Sequence, residues 1–252
     1  MQVRYKPFIV LSEPRSGSNY LIHLLNNHPS VLCYGEIFQP EFHLDNPGPT
    51  VFDYFGVFKV FRLLRSTFPL FFVRHLVFKK HRASLKAVGF KIFYEHASKG
   101  KPKDIWSYLR SLEDLRVLHL KRKNALRIIV SRKLAEKTGV YYLKKDQKGE
   151  TNTLKLFLDY KECLKFFKRL EAQRLKYDSF FKKHKILQIY YEDLVKHKRL
   201  SENRICDFLD VKKRPLKCKL ARQNTRSLRR IIVNYDSLKR KFSKTPWKRF
   251  FV

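Results

Sequence analysis

The residues with the clearest potential for chemistry stand in a short loop near the start of the chain, PRSGS at residues 14–18. The apolar run FIVLS (residues 8–12) precedes the loop and predicts a buried strand, and leucines at helical spacing follow it over residues 18–27. The start of a helix offers unpaired N–H groups and the positive end of the helix dipole, so this loop can bind an anion. Gly17 allows close approach of the backbone, and the guanidinium of Arg15 suits a phosphate or a sulfonate. The alternative is a capped helix start with a surface arginine.

A second basic turn occurs later in the chain, within LHLKRKNALRIIVS at residues 118–131. The pattern predicts a strand, a basic turn and a helix. Helical spacing brings Ser131 to the face that carries the residues of the helix start, and Asn124 can cap this helix. The same pattern also fits an ordinary amphipathic helix with a basic surface. The motif G-x-x-x-x-G-K-[ST] is absent, which argues against a transferase of ATP or GTP phosphoryl groups.

The elements that must position these loops alternate between strand and helix along the chain. This alternation predicts an α/β domain with a central, mainly parallel β-sheet flanked by helices. The length allows one or two domains, and we expect a single domain over residues 1–252. Ligands of such sheets bind at the carboxyl ends of the strands, and every candidate residue follows a strand. The predicted strands are 8–12, 31–35, 87–96, 115–121 and 185–192, and the predicted helices are 18–27, 124–137, 159–183 and 200–211.

The charge of the chain predicts an anionic partner. Lys and Arg number 56 against 22 Asp and Glu, a formal net charge of +34. A phosphorylated cofactor, an acidic glycan, a lipid surface and nucleic acid all fit this excess, and charge alone does not choose among them. A nucleic-acid or anionic-surface binding protein without catalytic activity is therefore a competing hypothesis, supported also by the interleaved aromatic residues. That hypothesis leaves the two strand–loop–helix motifs unexplained.

Cysteine usage and hydropathy predict a cytoplasmic protein. The four cysteines show no CxxC pair, so we expect free thiols and no metal site. The apolar run near the N-terminus is too short for a signal peptide. The longest apolar stretch, residues 51–78, is interrupted by basic residues and cannot span a bilayer cheaply. This stretch could line an acceptor groove, lie on an anionic membrane surface or pack as helices.

The first motif resembles the opening of a known enzyme family. PRSGSNYL after a strand, followed by HPSVLCYGEIF, looks like the sulfotransferases that use 3′-phosphoadenosine 5′-phosphosulfate (PAPS), and within them the bacterial carbohydrate sulfotransferases of the trehalose and nodulation-factor type. The resemblance implies a three-layer, P-loop-like fold and transfer of a sulfuryl group from PAPS to a hydroxyl of a carbohydrate or glycolipid. It implies no metal and no specific nucleic acid.

The resemblance also assigns the two phosphate sites. The first loop would bind the 5′-phosphosulfate, and the second basic turn would bind the 3′-phosphate. Either Arg122 or Lys123 would make the latter contact, and we favour Arg122. The donor-binding residues implied are Arg15, Ser16, Gly17, Ser18, Asn19, Arg122, Lys123, Ser131 and Arg226.

Sulfuryl transfer needs a base, an acceptor held in line with the sulfur, and positive charge at the transferring and leaving groups. Glu36, in YGEIF after the second predicted strand, is the base that the resemblance implies, and His96 after the strand GFKIFYE is its rival. Many family members have lysine where this chain has Arg15. Because arginine gives up a proton less readily, we expect Arg15 to stabilise charge and not to act as an acid.

Overall fold

The computed structural model describes residues 5–38, 64–97, 104–141, 143–144, 154–218, 220–221 and 226–251. Its centre is a five-stranded, wholly parallel sheet in the order β2-β3-β1-β4-β6. The strands are β1 (Lys6–Ser12), β2 (Val31–Glu36), β3 (Ala87–Phe93), β4 (Arg116–Lys121) and β6 (Lys185–Tyr190). A short antiparallel pair joins β5 (Leu143–Lys144) to β7 (Leu220–Ala221). The predicted α/β class and parallel sheet are confirmed.

Strand β1 shows why the sheet is buried on both faces. Phe8 and Val10 point into one apolar cluster, and Ile9 and Leu11 point into the other. A parallel strand covered on both sides reads as a continuous apolar run and not as an alternating one, which is what FIVLS shows. The two clusters therefore place a layer of helices on each face of the sheet.

The crossovers leave the centre of the sheet in opposite directions. The chain runs from β1 toward β2 at one edge and from β4 toward β6 at the other, so right-handed crossovers place their helices on opposite faces. The carboxyl end of β1 lies at this reversal, where α/β sheets bind ligands. The helices are α1 (Ser18–Asn26), α2 (Pro69–Phe72, continued by a π-helix at Val73–Val77), α3 (Asp104–Ser111), α4 (Leu126–Thr138), α5 (Tyr160–Phe180), α6 (Tyr191–Lys196), α7 (Lys198–Leu209), α8 (Leu228–Ile231) and α9 (Tyr235–Phe242), followed by a 3₁₀ turn at Pro246–Phe250.

Two predicted strands are shorter than expected. The strand predicted over residues 185–192 ends at Tyr190, because helix α6 begins at Tyr191. The strand predicted over residues 87–96 ends at Phe93, and a turn follows. The first correction moves Tyr191 and Glu192 into a helix, and the second moves residues 94–96 into a turn, both at the carboxyl edge of the sheet. Much of the stretch at residues 51–78 lies outside the described residues.

A buried polar network ties the end of β4 to helix α5. Asp178 accepts from His119 Nδ1 at 2.8 Å and from Lys121 Nζ at 2.7 Å, and the hydroxyl of Tyr94 lies 2.6 Å from His119 Nε2. Burial lowers the pKa of His119, so the neutral ring donates to Asp178 and accepts from Tyr94. Burial alone would raise the pKa of Asp178, but hydrogen bonds from His119 and Lys121 lower it to about 2.

We expect Asp178→Asn to lower the free energy of unfolding by about 2 kcal/mol at pH 7. The folded-state pKa is below that of the unfolded chain, so this stabilisation is present above about pH 4 and is lost as the pH falls toward 2. Urea unfolding at several pH values measures it. The control Asp236→Asn breaks an exposed pair with Arg229 and should cost well under 1 kcal/mol. A loss for Asp178→Asn that stays constant down to acid pH would contradict the assignment.

Candidate active site

The loop after β1 has a backbone shape that few residues can adopt. Arg15 (φ 67°) and Gly17 (φ 92°) both take left-handed conformations. A Cβ atom at Gly17 would lie 2.2 Å from Cδ2 of Tyr191, so only glycine fits beneath that ring. Gly17 caps helix α1 without a side-chain hydrogen bond, and Ser16 Oγ is fully buried with no partner in the described part of the chain. The loop therefore leaves backbone and hydroxyl groups that a bound anion would satisfy.

The structure brings the two basic motifs into direct contact. Arg15 Nε donates to Ser131 Oγ at 3.0 Å although the residues are 116 positions apart, and Arg15 Nη1 donates to the Tyr141 carbonyl at 2.5 Å. Arg122 Nη1 donates to the carbonyl of Arg15 at 3.2 Å, and its guanidinium lies 5.1 Å from the centre of the Tyr191 ring. The loop after β1, the turn after β4 and helix α4 thus form one site.

This site concentrates positive charge in a poorly solvated place. Burial, and next the charge of Arg122, lower the pKa of Arg15 to about 10. The charge of Arg132, which follows Ser131 in helix α4, lowers the pKa of Arg15 further. Arg15 remains a cation at neutral pH, but its neighbours make that charge costly. An anion bound among these groups would relieve the repulsion.

The turn after β4 distinguishes its two basic side chains. Lys123 is exposed, and its Nζ pairs with Asp193 at 2.6 Å. Arg122 is mostly buried and faces the loop of Arg15. Glu192 accepts from the backbone N–H groups of Lys123 at 2.9 Å and Asn124 at 3.4 Å, a structural role in holding the turn. The side chain of Asn124 caps helix α4, as predicted. This geometry favours Arg122 as the anion contact.

Arg226 lies against the C-terminal segment and near the start of helix α4. Its guanidinium donates to the carbonyls of Leu154 at 3.3 Å and Arg230 at 3.2 Å. Its own carbonyl accepts from Arg127 Nη1, in the first turn of α4, at 3.3 Å. The predicted contact of Arg226 with the donor stays a prediction.

Glu36 forms an ion pair at the edge of the sheet. Its Oε1 lies 2.5 Å from Lys91 Nζ, and the same ammonium donates to Asn19 Oδ1 at 2.5 Å. Lys91 is fully buried in β3, opposite Glu36 in the β2 register. The charge of Glu36 also acts on Arg15, so the carboxylate and the loop after β1 face one region. Asn19 connects this pair to the first turn of helix α1.

His96 interacts with the charge of Glu36, but one of its ring nitrogens is already engaged. Its Nδ1 accepts the backbone N–H of Phe93 at 3.3 Å, and Trp106 Nε1 donates to its carbonyl at 3.1 Å. Burial, partly offset by the charge of Glu36, lowers the pKa of His96 to about 4. The ring is neutral at pH 7, and protonating it would be unfavourable.

Two site residues were missed by sequence reasoning. Glu13 is buried directly before the PRSGS loop, and its Oε1 accepts from Arg132 Nη2 at 2.6 Å and Arg169 Nη2 at 2.8 Å. An acidic residue beside an anion-binding motif was a usable signal. Arg65 is also buried, and its Nη1 donates to the carbonyl of Ile37 at 3.2 Å. No local pattern marks Arg65, because its partners come from distant segments.

The described residues hold free thiols, and they include neither a cluster of metal ligands nor a helix that could cross a bilayer. No group of three or more His, Cys, Asp or Glu side chains there could hold a metal ion. No helix among them has the length and hydropathy needed to cross a bilayer. Cys33, Cys163 and Cys206 are buried free thiols, and Cys218 is partly exposed.

Comparison with known proteins identifies the family. A family model described as the sulfotransferase family matches residues 7–215. The chain belongs to the sulfotransferase family. This sulfotransferase is 27% identical over 252 residues to nodulation protein H of Rhizobium tropici, covering 98% of this chain and 93% of that protein. It is 28% identical over 253 residues to nodulation protein H of Rhizobium meliloti strain 1021, covering 98% and 95%. The resemblance seen in the sequence is confirmed, and the hypothesis of a binding protein without catalytic activity is set aside.

Solved structures show the same fold. A sulfotransferase domain from the curacin biosynthetic pathway aligns with a TM-score of 0.54 at 16% identity, covering 99% of this sulfotransferase and 96% of that domain. A sulfotransferase from Alicyclobacillus acidocaldarius aligns with a TM-score of 0.50 at 14% identity, covering 96% and 92%. These likenesses confirm the three-layer, P-loop-like arrangement.

The ion pair of Lys91 and Glu36 should dominate the stability of this edge of the site. Lys91→Met leaves the carboxylate without its buried partner, so we expect the free energy of unfolding to fall by about 3 kcal/mol. The double variant Lys91→Met/Glu36→Gln should lose clearly less than the two single losses added together. Urea unfolding of all four proteins in the cycle measures this coupling. Strictly additive losses would show that the two side chains do not interact.

Proposed function

We propose that this sulfotransferase transfers a sulfuryl group from PAPS to a hydroxyl of a carbohydrate or glycolipid. The observation that carries the proposal is the contact of Arg15 with Ser131, which joins two basic motifs at the carboxyl ends of neighbouring strands. PAPS carries a 3′-phosphate and a 5′-phosphosulfate on its ribose, so two adjoining anion sites fit it. The relatives named nodulation protein H, and the motif resemblance to the nodulation-factor type, support a glycan-like acceptor.

The loop and helix start after β1 fit the 5′-phosphosulfate. The N–H groups at the start of α1, the unpartnered hydroxyl of Ser16 and the guanidinium of Arg15 would hold it, with Ser18 and Asn19 beside them. Arg122 and Ser131 would hold the 3′-phosphate. Because the pKa of Arg15 is about 10, this side chain stays protonated at neutral pH and would stabilise charge on the transferring sulfonate and the leaving phosphate.

Glu36 is our proposed base. As the acceptor oxygen forms its bond to sulfur and the bond from sulfur to the phosphate oxygen breaks, the hydroxyl proton would pass to the Glu36 carboxylate. Lys91 holds that carboxylate in place at the edge of the sheet. The rival His96 is less suited, because its Nδ1 already accepts a backbone N–H, which leaves the proton of the neutral ring on Nε2. A cytoplasmic location is part of the proposal and is supported by the free thiols of the buried cysteines.

Donor use is tested with purified protein, PAPS and a panel of hydroxyl acceptors, following release of adenosine 3′,5′-bisphosphate. We expect Arg15→Ala to lower turnover by about 10²-fold or more, since it removes charge stabilisation in the transition state. The control Lys182→Ala removes an exposed lysine after α5 and should change turnover little. No binding of either nucleotide in calorimetry, or near-normal turnover of Arg15→Ala, would show the proposal to be wrong.

The base is tested by Glu36→Gln, which keeps the shape of the side chain but cannot take a proton. We expect turnover to fall by about 10²-fold or more while the Kd for adenosine 3′,5′-bisphosphate is nearly unchanged. His96→Gln is the matched variant, and its turnover should fall much less. The opposite ranking of the two variants would assign the base to His96.

A further inference from the structure

The helical segment that includes α2 presents an exposed face outside the donor-binding residues. Phe68 and Phe71 are 57% and 51% exposed, which is unusual for phenylalanine, whereas Phe72, Val73 and Val77 on the other side are buried. Arg74 and His75 are exposed on the same helical segment, and Lys80 and Arg82 are exposed in the chain that follows it. We define the basic–aromatic face as Phe68, Phe71, Arg74, His75, Lys80 and Arg82.

Contacts within this face and with helix α3 hold its side chains in place. The rings of Phe71 and His75 lie 4.5 Å apart, one helical turn from each other. The guanidinium of Arg74 lies 4.8 Å from the centre of the Tyr108 ring on α3. Phe68, Phe71 and His75 are spaced by three and four residues, so they share one side of the helical segment, and Arg74 lies between that side and α3.

The charge of the segment has one sign. Residues 64–86 contain six Lys and Arg and no Asp or Glu. Exposed phenylalanine rings can enter the boundary between lipid headgroups and acyl chains, and neighbouring cations can meet anionic headgroups. Neither apolar insertion nor charge alone gives firm attachment to a bilayer, but the two together do. The basic–aromatic face supplies both.

The face adjoins the acceptor side of the site. Arg65, in the helical turn that precedes Phe68, is buried, and its Nη1 donates to the carbonyl of Ile37, the residue after Glu36. We propose that the basic–aromatic face docks on an anionic lipid surface and that the acceptor is an amphiphile whose hydroxyl reaches Glu36 from that surface. The acceptor part of this inference rests on the proposed function.

Vesicle binding of the full chain tests the docking surface. Phosphatidylcholine vesicles with and without phosphatidylserine are sedimented with the protein at physiological salt. We expect binding that requires phosphatidylserine, weakened about fivefold by Phe71→Ser and about tenfold or more by Lys80→Glu/Arg82→Glu. Binding of adenosine 3′,5′-bisphosphate, measured by calorimetry, should be unchanged in these variants.

Matched variants separate this face from the general charge of the protein. Phe157 is 72% exposed elsewhere on the surface, and Lys182 and Lys183 are adjacent exposed lysines after α5. Phe157→Ser and Lys182→Glu/Lys183→Glu should leave vesicle binding unchanged. Losses equal to those of the face variants would overturn the proposal, because vesicle binding would then not depend on this face.

Further outcomes are equally decisive. Equal binding to vesicles with and without phosphatidylserine would overturn the proposal. So would binding of a single-stranded polynucleotide that Phe71→Ser weakens as much as it weakens vesicle binding, since the face would then serve nucleic acid. Phosphatidylserine-dependent binding that the face variants lose, with no binding of adenosine 3′,5′-bisphosphate by the unaltered protein, would support the docking surface while showing the proposed donor to be wrong.

Discussion

Buried positive charge around Arg15 is the constraint on which the rest of the site depends. Arg122 and Ser131 both contact this residue, and burial together with the charge of Arg122 lowers the pKa of Arg15 to about 10. Like charges in a poorly solvated place repel, so the fold must supply carboxylates at fixed positions or receive an anion. In the described structure, Glu13 and Glu36 supply carboxylates. A bound sulfotransferase donor would supply the anion.

The sheet topology makes this concentration of charge possible. Strands β1 and β4 are neighbours, so the loop after one and the turn after the other lie side by side at the carboxyl edge. Helix α4 then carries Ser131 back over the loop, and Tyr191 at the start of α6 covers Gly17. Asp178 on α5 fixes the end of β4 through its hydrogen bonds with His119 and Lys121. Packing between layers thus holds a backbone that the loop alone would not keep.

Two carboxylates balance the cations in different ways. Glu13 is buried, and one of its oxygens accepts from two arginines, so its structural task is to orient Arg132 and Arg169. Glu36 lies at the other side of β1, pairs with a single buried ammonium on Lys91 and faces the region of the loop. This difference is why we choose Glu36 and not Glu13 as the residue that meets the acceptor. The basic–aromatic face follows Arg65, which contacts the residue after Glu36, and we therefore expect that face to influence which acceptors reach Glu36.

The sequence by itself determined the parallel α/β sheet, the loop after β1 with its glycine and the cap of α4, because each depends on a local pattern of apolar runs, turn residues or helix starts. The motifs also pointed to the family. Only the tertiary structure favours Arg122 over Lys123, since the preference depends on which side chain the packing of α6 leaves exposed. It likewise showed that Nδ1 of His96 accepts a backbone N–H and that Arg65 donates to the carbonyl of Ile37, the residue after Glu36. Burial and contacts between distant segments set these properties, and no local pattern records them.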